Sequence, residues 1–184
     1  MSNEVRIIGG VWRSRKLRFP AVNELRPTPD RVRETLFNWL QGEVEGSHCL
    51  DLFAGSGALG FEAASRGAAR VVAVERNPRV CAALRQNCAL LDARQIEVVQ
   101  TEARRYLARP AHAFDLVFLD PPFRRDLVAG TCQTLASRGW LSDNAWIYVE
   151  TEAEYAAELP ADWQLVHVRD AGDVRYHLCR RGPH

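Results

Sequence analysis

Cys49-Leu-Asp51-Leu-Phe-Ala-Gly55-Ser-Gly57-Ala-Leu-Gly60 is a short apolar run that opens into three glycines and then into residues of helical composition. Strand, tight turn and helix follow from that order, because glycine tolerates positive φ and lets another group approach the backbone closely. Downstream the same alternation repeats. Apolar runs at 49–53, 70–74, 96–99, 115–119 and 146–149 read as buried strands, with 59–66, 78–91, 102–109 and 126–138 as helices between them. Strands joined by helices predict a mostly parallel sheet covered on both faces. The alternation breaks at the end, where 164–169, Ala171-Gly-Asp173 and 174–180 read as strand, turn and strand. Upstream, 6–18 reads as a β-hairpin turning at Gly9-Gly10. Thr28 is expected to cap a helix that starts at Pro29, carries Val32, Leu36, Trp39 and Leu40 on one face, and stops at Gly42. Residues 1–184 are expected to form one domain, with 1–25 as a hairpin extension.

Composition sets the outer limits. The 184 residues are 47% hydrophobic with a net charge of +1, which excludes a long disordered chain. No apolar run is long enough to span a bilayer, and the first residues lack the profile of a secretory signal. Five cysteines (49, 81, 88, 132, 179) without a C-x-x-C pair argue against a disulfide framework or a zinc site, and for a reducing cytoplasm. They read as buried small hydrophobes. His48, His112, His167, His177 and His184 form no metal-like cluster, so no metal is expected. Charge is polarised along the chain: residues 1–40 carry a net +4, while 143–162 hold six acids and no Lys or Arg. That pattern suits a polyanion approaching from one side.

Gly55-x-Gly57-x-x-Gly60 has the spacing of a dinucleotide loop, but Asp51 puts a carboxylate at the strand tip, where a ligand bearing an ammonium group needs one. Asp51, Ala54, Gly55 and Gly57 are therefore candidate cofactor contacts. Glu75 ends the second strand of the alternation and can accept two ribose hydroxyls. Glu102 and Ala103, after the third, are placed to meet an adenine, although an acid at a helix start has an equally good dipole explanation. Asp120-Pro-Pro-Phe123 is the most specific signal. It follows a hydrophobic strand; its prolines remove two donors, so Asp120 and the Pro121 carbonyl can both accept from one NH2 group, and Phe123 can stack a base. An exocyclic amine held by two acceptors has its lone pair freed for attack on a methyl sulfonium. Arg13, Arg15, Lys16 and Arg18 in the hairpin are candidate phosphate contacts. Trp12 among them can stack on a base or pack on the body.

From residue 6 to about 180 the chain resembles the bacterial 16S ribosomal RNA guanine-N2 methyltransferase family. The resemblance is carried by Ile7-Ile-Gly-Gly-x-Trp12 with Arg15-Lys16-Leu17, by Arg26-Pro-Thr-x-Asp-Arg-Val-Arg-Glu-Thr-Leu-Phe-Asn-Trp-Leu40, by 51–60 and by 120–123. It implies a class I, Rossmann-like fold with a seven-stranded sheet. It also implies methyl transfer from S-adenosylmethionine to N2 of one guanine in small-subunit RNA, presented in a partly assembled ribosomal particle. The protein is expected to be a cytoplasmic monomer with no membrane partner. The adenine-contact position is commonly Asp or Asn in such enzymes and is Glu102 here. Adenine-N6 methylation of RNA or DNA fits the same tetrapeptide. A nicotinamide oxidoreductase fits the glycines and Glu75 but leaves 120–123 unexplained, and a non-catalytic RNA-binding assembly factor fits the basic front end.

Overall fold

The computed structural model describes residues 2–22, 25–122, 125–156 and 158–182. Strands β1 (Ser2–Arg6) and β2 (Lys16–Pro20) form an antiparallel pair, followed by helix α1 (Asp30–Trp39). Then come β3 (His48–Asp51), α2 (Ala58–Ser65), β4 (Arg70–Glu75), α3 (Pro78–Leu91), β5 (Ile96–Gln100) and α4 (Ala103–Leu107). The chain continues through β6 (Phe114–Leu119), α5 (Arg125–Ser137), β7 (Leu141–Glu152), β8 (Trp163–Ala171) and β9 (Val174–Arg181). β3 to β9 form a seven-stranded sheet in the order β5-β4-β3-β6-β7-β9-β8. The first five of these strands run parallel and β9 pairs antiparallel with both neighbours, as the sequence predicts.

Period-two alternation divides the sheet between two cores. Cys49, Val71, Ala73, Leu116 and Phe118 face Leu36, Phe37, Phe61 and Leu84 of α1, α2 and α3, while Leu50, Val72, Val74, Val117 and Ile147 face Leu107 of α4 and Val128 and Leu135 of α5. Each helix starts where local chemistry allows. α3 begins at Asn77, whose side chain accepts the Arg79 and Val80 N–H groups while Pro78 lacks the donor that would otherwise be orphaned.

Two local expectations are corrected. The 6–18 hairpin does not turn tightly at Gly9-Gly10: its strands are β1 and β2, and residues 7–15 form a loop tied down by α2. Glu62 accepts the Ile8 and Gly9 N–H groups at 2.9 and 2.8 Å, and Ser65 takes the Trp12 N–H on its hydroxyl at 3.0 Å. The approach is close enough that a Cβ on Gly10 (φ +77°) would sit 1.9 Å from the Ser65 carbonyl oxygen. Glycine serves this contact between distant segments, and Trp12 packs on Phe61 with ring centroids 6.4 Å apart. Thr28, in turn, is not the α1 cap. Pro29 takes the cap position without a side-chain bond, and the Thr28 hydroxyl turns toward Asp120.

Candidate active site

Four acids from four neighbouring strands stand along the carboxyl edge of the sheet. Asp51 closes β3, Glu75 closes β4 and Asp120 directly follows β6. Glu150 on β7 lies level with Asp120, because Leu119 pairs with Val149. Edge and crevice together form the usual ligand position of open α/β sheets.

The glycine loop is shaped by these acids as well as by its glycines. Asp51 is 2% exposed and accepts the Gly60 N–H at 3.0 Å. Burial pushes its carboxyl up to about 7, against the pull of the Gly60 N–H and with help from the nearby Glu75 charge. A cation brought beside it reverses that burial effect. Gly60 is closely packed, since a Cβ would lie 3.0 Å from Asp51 Oδ2 and would crowd that carboxylate. Gly57 enters α2 at φ +81°, and Ala54 is pinned to β4 by its N–H on the Val74 carbonyl at 2.9 Å. Glu75 braces the same loop, with Oε2 accepting the Gly55 N–H at 3.1 Å and Oε1 the Asn77 N–H at 2.7 Å. Each carboxylate oxygen has a second lone pair, so these bonds leave it able to accept ribose hydroxyls. Glu102 is exposed, and Ala103 opens α4 immediately after it, both just past β5.

Asp120 and Glu150 form an acid pair. Thr28 Oγ1 donates to Asp120 Oδ2 over 3.5 Å, and the Tyr148 hydroxyl donates to Glu150 Oε2 at 3.0 Å. Burial raises the Asp120 carboxyl well above the ordinary range, and the charges of Glu150 and Asp51 add to this. Burial raises Glu150 too, while the Tyr148 hydroxyl opposes the shift. Pro121 is buried beside them, and Phe123 falls outside the described residues.

The hairpin cations lie apart from this edge. β2 runs along α3, where Asn87 clasps the Arg18 backbone, donating to its carbonyl at 3.0 Å and accepting its N–H at 3.4 Å. Leu17 and Phe19 point inward, so Lys16 and Arg18 face solvent, and both pair with Glu4, at 2.9 and 3.2 Å. Arg13 and Arg15 are exposed, the latter reaching the Leu90 carbonyl at 3.5 Å. A groove of about 340 Å³ separates the hairpin from the start of α1, lined by Arg6, Lys16, Pro27 and Thr28 among others. Thr28 in its lining is the residue that contacts Asp120.

A second feature escapes sequence reasoning. Glu62, 0% exposed, also accepts Arg33 Nη1 at 3.2 Å and Arg66 Nε at 2.9 Å. Arg33 goes on to donate to the Arg6 and Thr28 carbonyls at 2.9 and 3.1 Å. One buried ion pair thus joins hairpin, α1, α2 and the Thr28 segment above Asp120. Its signal in the sequence is faint: Glu62 sits within Leu59-Gly-Phe-Glu-Ala-Ala64, a helix apolar on all sides, where an acid needs a partner.

Residues 5–180 match the family described as conserved hypothetical protein 95. The chain is 49% identical over 181 residues to ribosomal RNA small subunit methyltransferase D of Escherichia coli strain K12, a match covering 98% of this chain and 91% of that protein. It is 46% identical over 181 residues to the protein of the same name from Haemophilus influenzae, covering 95% and 93%. Among solved structures, YhhF of Escherichia coli superposes with a TM-score of 0.93 at 46% identity, covering 99% of this chain and 100% of that one.

Proposed function

As a member of the ribosomal RNA small subunit methyltransferase D family, with the class I methyltransferase fold, the chain is one for which we propose methyl transfer from S-adenosylmethionine to N2 of a guanine in 16S ribosomal RNA. The observation that carries this reading is the position of Asp120-Pro-Pro, one strand away from the glycine loop and at the same sheet edge. We place the cofactor across Ala54, Gly55 and Gly57, with its ammonium group toward Asp51, its ribose on Glu75 and its adenine near Glu102 and Ala103. The donor set fits, since a cationic ligand with two ribose hydroxyls meets acids at both ends. When bound, the cofactor supplies an electrophilic methyl group on a positively charged sulfur. Asp120 and the Pro121 carbonyl accept the two amine N–H bonds, Phe123 stacks the base, and the fixed geometry supplies most of the acceleration. The base must leave its stack to enter, which favours a single-stranded loop in naked RNA or in a small-subunit particle. We read the protein as a cytoplasmic monomer whose residues 1–25 serve as an RNA-binding extension.

The deciding assay supplies labelled cofactor with unmodified small-subunit RNA or particles and identifies the methylated nucleoside. N2-methylguanosine supports the reading; N6-methyladenosine, or binding without transfer, overturns it.

Glu75→Ala is expected to raise the cofactor's dissociation constant more than it slows the saturated enzyme, because ribose binding is similar in ground and transition states. Loss of the Gly55 and Asn77 bonds loosens the same loop. Unchanged affinity by calorimetry would remove Glu75 from the cofactor site.

In the hairpin, Glu4 pairs with both Lys16 and Arg18, so a phosphate binding to those cations would compete with it. Neutralising Arg13, Arg15 and Lys16 together should flatten the slope of log affinity against log salt by about 0.7 for each phosphate the hairpin no longer neutralises. Cofactor affinity should be unaffected. Parallel slopes for variant and wild type would mean that RNA approaches another face of the protein.

A further inference from the structure

The register that pairs Leu119 with Val149 sets Glu150 beside Asp120. Glu150 is firmly held. Its Oε2 accepts the Tyr148 hydroxyl, and the Tyr148 ring is buried between Phe118 and Tyr176 at centroid distances of 6.4 and 6.3 Å. Thr28 approaches Asp120 independently, from the start of α1. Two half-buried carboxylates side by side repel, and one retained proton replaces that repulsion with a hydrogen bond. With Oε2 occupied by the phenol, Glu150 keeps its other oxygen for Asp120.

We propose that Glu150 is a positioning residue for the methyl transfer: carrying the proton of the pair, it donates to Asp120 and keeps that carboxylate turned toward the amine. The proposal rests on Asp120 acting as the amine's acceptor. During the reaction the nitrogen lone pair forms the new bond to the methyl carbon, and the carbon–sulfur bond breaks with its electrons returning to sulfur. The nitrogen, now cationic, gives a proton to Asp120, and the pair holds two protons until the product leaves and solvent takes one. Other titratable groups facing the pair are Asp51 on β3, Tyr148 on β7 and Tyr176 opposite Glu150 on β9; His177, paired with Val149, lies on the other face of the sheet. Burial raises both carboxyls, and their mutual hydrogen bond raises Asp120 while lowering Glu150, so the retained proton rests on Asp120 in the free protein and passes to Glu150 when the amine donates to Asp120.

The test is kcat and KM against pH for wild type, Glu150→Gln, Glu150→Ala and Tyr148→Phe, with melting temperatures measured alongside. Wild-type kcat should fall on the alkaline side as the pair loses its proton. In Glu150→Gln the amide keeps its N–H at every pH, so that fall should vanish while kcat near neutrality stays within about tenfold of wild type. Tyr148→Phe deprives the Glu150 anion of its donor, so the alkaline fall should move to higher pH. Glu150→Ala should lower kcat by about ten- to a hundredfold with little change in KM for the cofactor. An alkaline fall unmoved in Glu150→Gln, a wild-type profile flat in that range, or full kcat in Glu150→Ala each overturns the proposal. If Glu150→Ala does not fold, the glutamine profile decides alone. Asp120→Asn is measured in parallel: a fully active Asp120→Asn enzyme defeats the reading of Asp120 itself, which separates that failure from failure of the Glu150 role.

Discussion

Asp120→Ala is expected to lower kcat by about a thousandfold or more while leaving the cofactor's dissociation constant within about threefold. Two losses combine. A charge-assisted acceptor contributes roughly 1.5–3 kcal/mol. Displacement of the amine by about 1 Å removes a further factor of about a hundred. The residues proposed to hold the cofactor, on β3, β4 and the glycine loop, are untouched by the change. Single-turnover methylation together with calorimetric cofactor binding separates the two quantities. A variant methylating within tenfold of wild type would take the central residue out of the mechanism.

The largest effect on stability should come from Glu62→Ala. The substitution strips four hydrogen bonds at once, from Ile8, Gly9, Arg33 and Arg66, and leaves the guanidinium of Arg33, 1% exposed, with Asp30 as its remaining carboxylate partner. Breaking a buried pair from one side costs about 3–5 kcal/mol, which for a chain of this size lowers the melting temperature by roughly 10 °C. Glu62→Gln keeps the shape and an acceptor and should fall between. Activity should suffer as well, since Arg33 also holds the Thr28 carbonyl above Asp120. Thermal unfolding checks the first effect and kcat well below the melting point the second. A drop of less than about 2 °C would show that Arg33 finds other compensation.

What the sequence discloses and what it conceals divide along the range of the interaction. Alternation of apolar runs with helical stretches is local, and every strand and helix of the βα region is legible within a few residues, with β7 extending furthest beyond its expected bounds. The acids at strand tips are equally legible, because Asp51, Glu75 and Asp120 each end a hydrophobic run. Glu150 also ends one, at Trp146-Ile-Tyr-Val149, but without an adjoining motif it reads as part of an acidic surface. The hairpin turn escapes local reading because its loop geometry is imposed by Glu62 and Ser65, more than fifty residues away. Thr28 escapes it for the same reason: an ordinary helix-capping pattern yields to a contact across 92 positions. Tertiary partners override local propensity where they are buried and charged.

The position of β9 has a consequence for how the protein is made. β9 follows all the other strands out of the ribosome, yet it lies inside the sheet, between β7 and β8. Until residues 174–181 emerge, β7 offers an unpaired margin rich in Ile, Tyr and Val to any other nascent chain. Premature termination just before that segment therefore ends the sheet at β7 and leaves β8, already made, with no strand to pair with. Quality control would meet such a chain as an aggregation hazard even though β1 to β8 had all been synthesised. The same arrangement makes residues 174–181 a poor place for trimming in engineered forms, and the loop joining β8 to β9 at Gly172 a better place for an insertion.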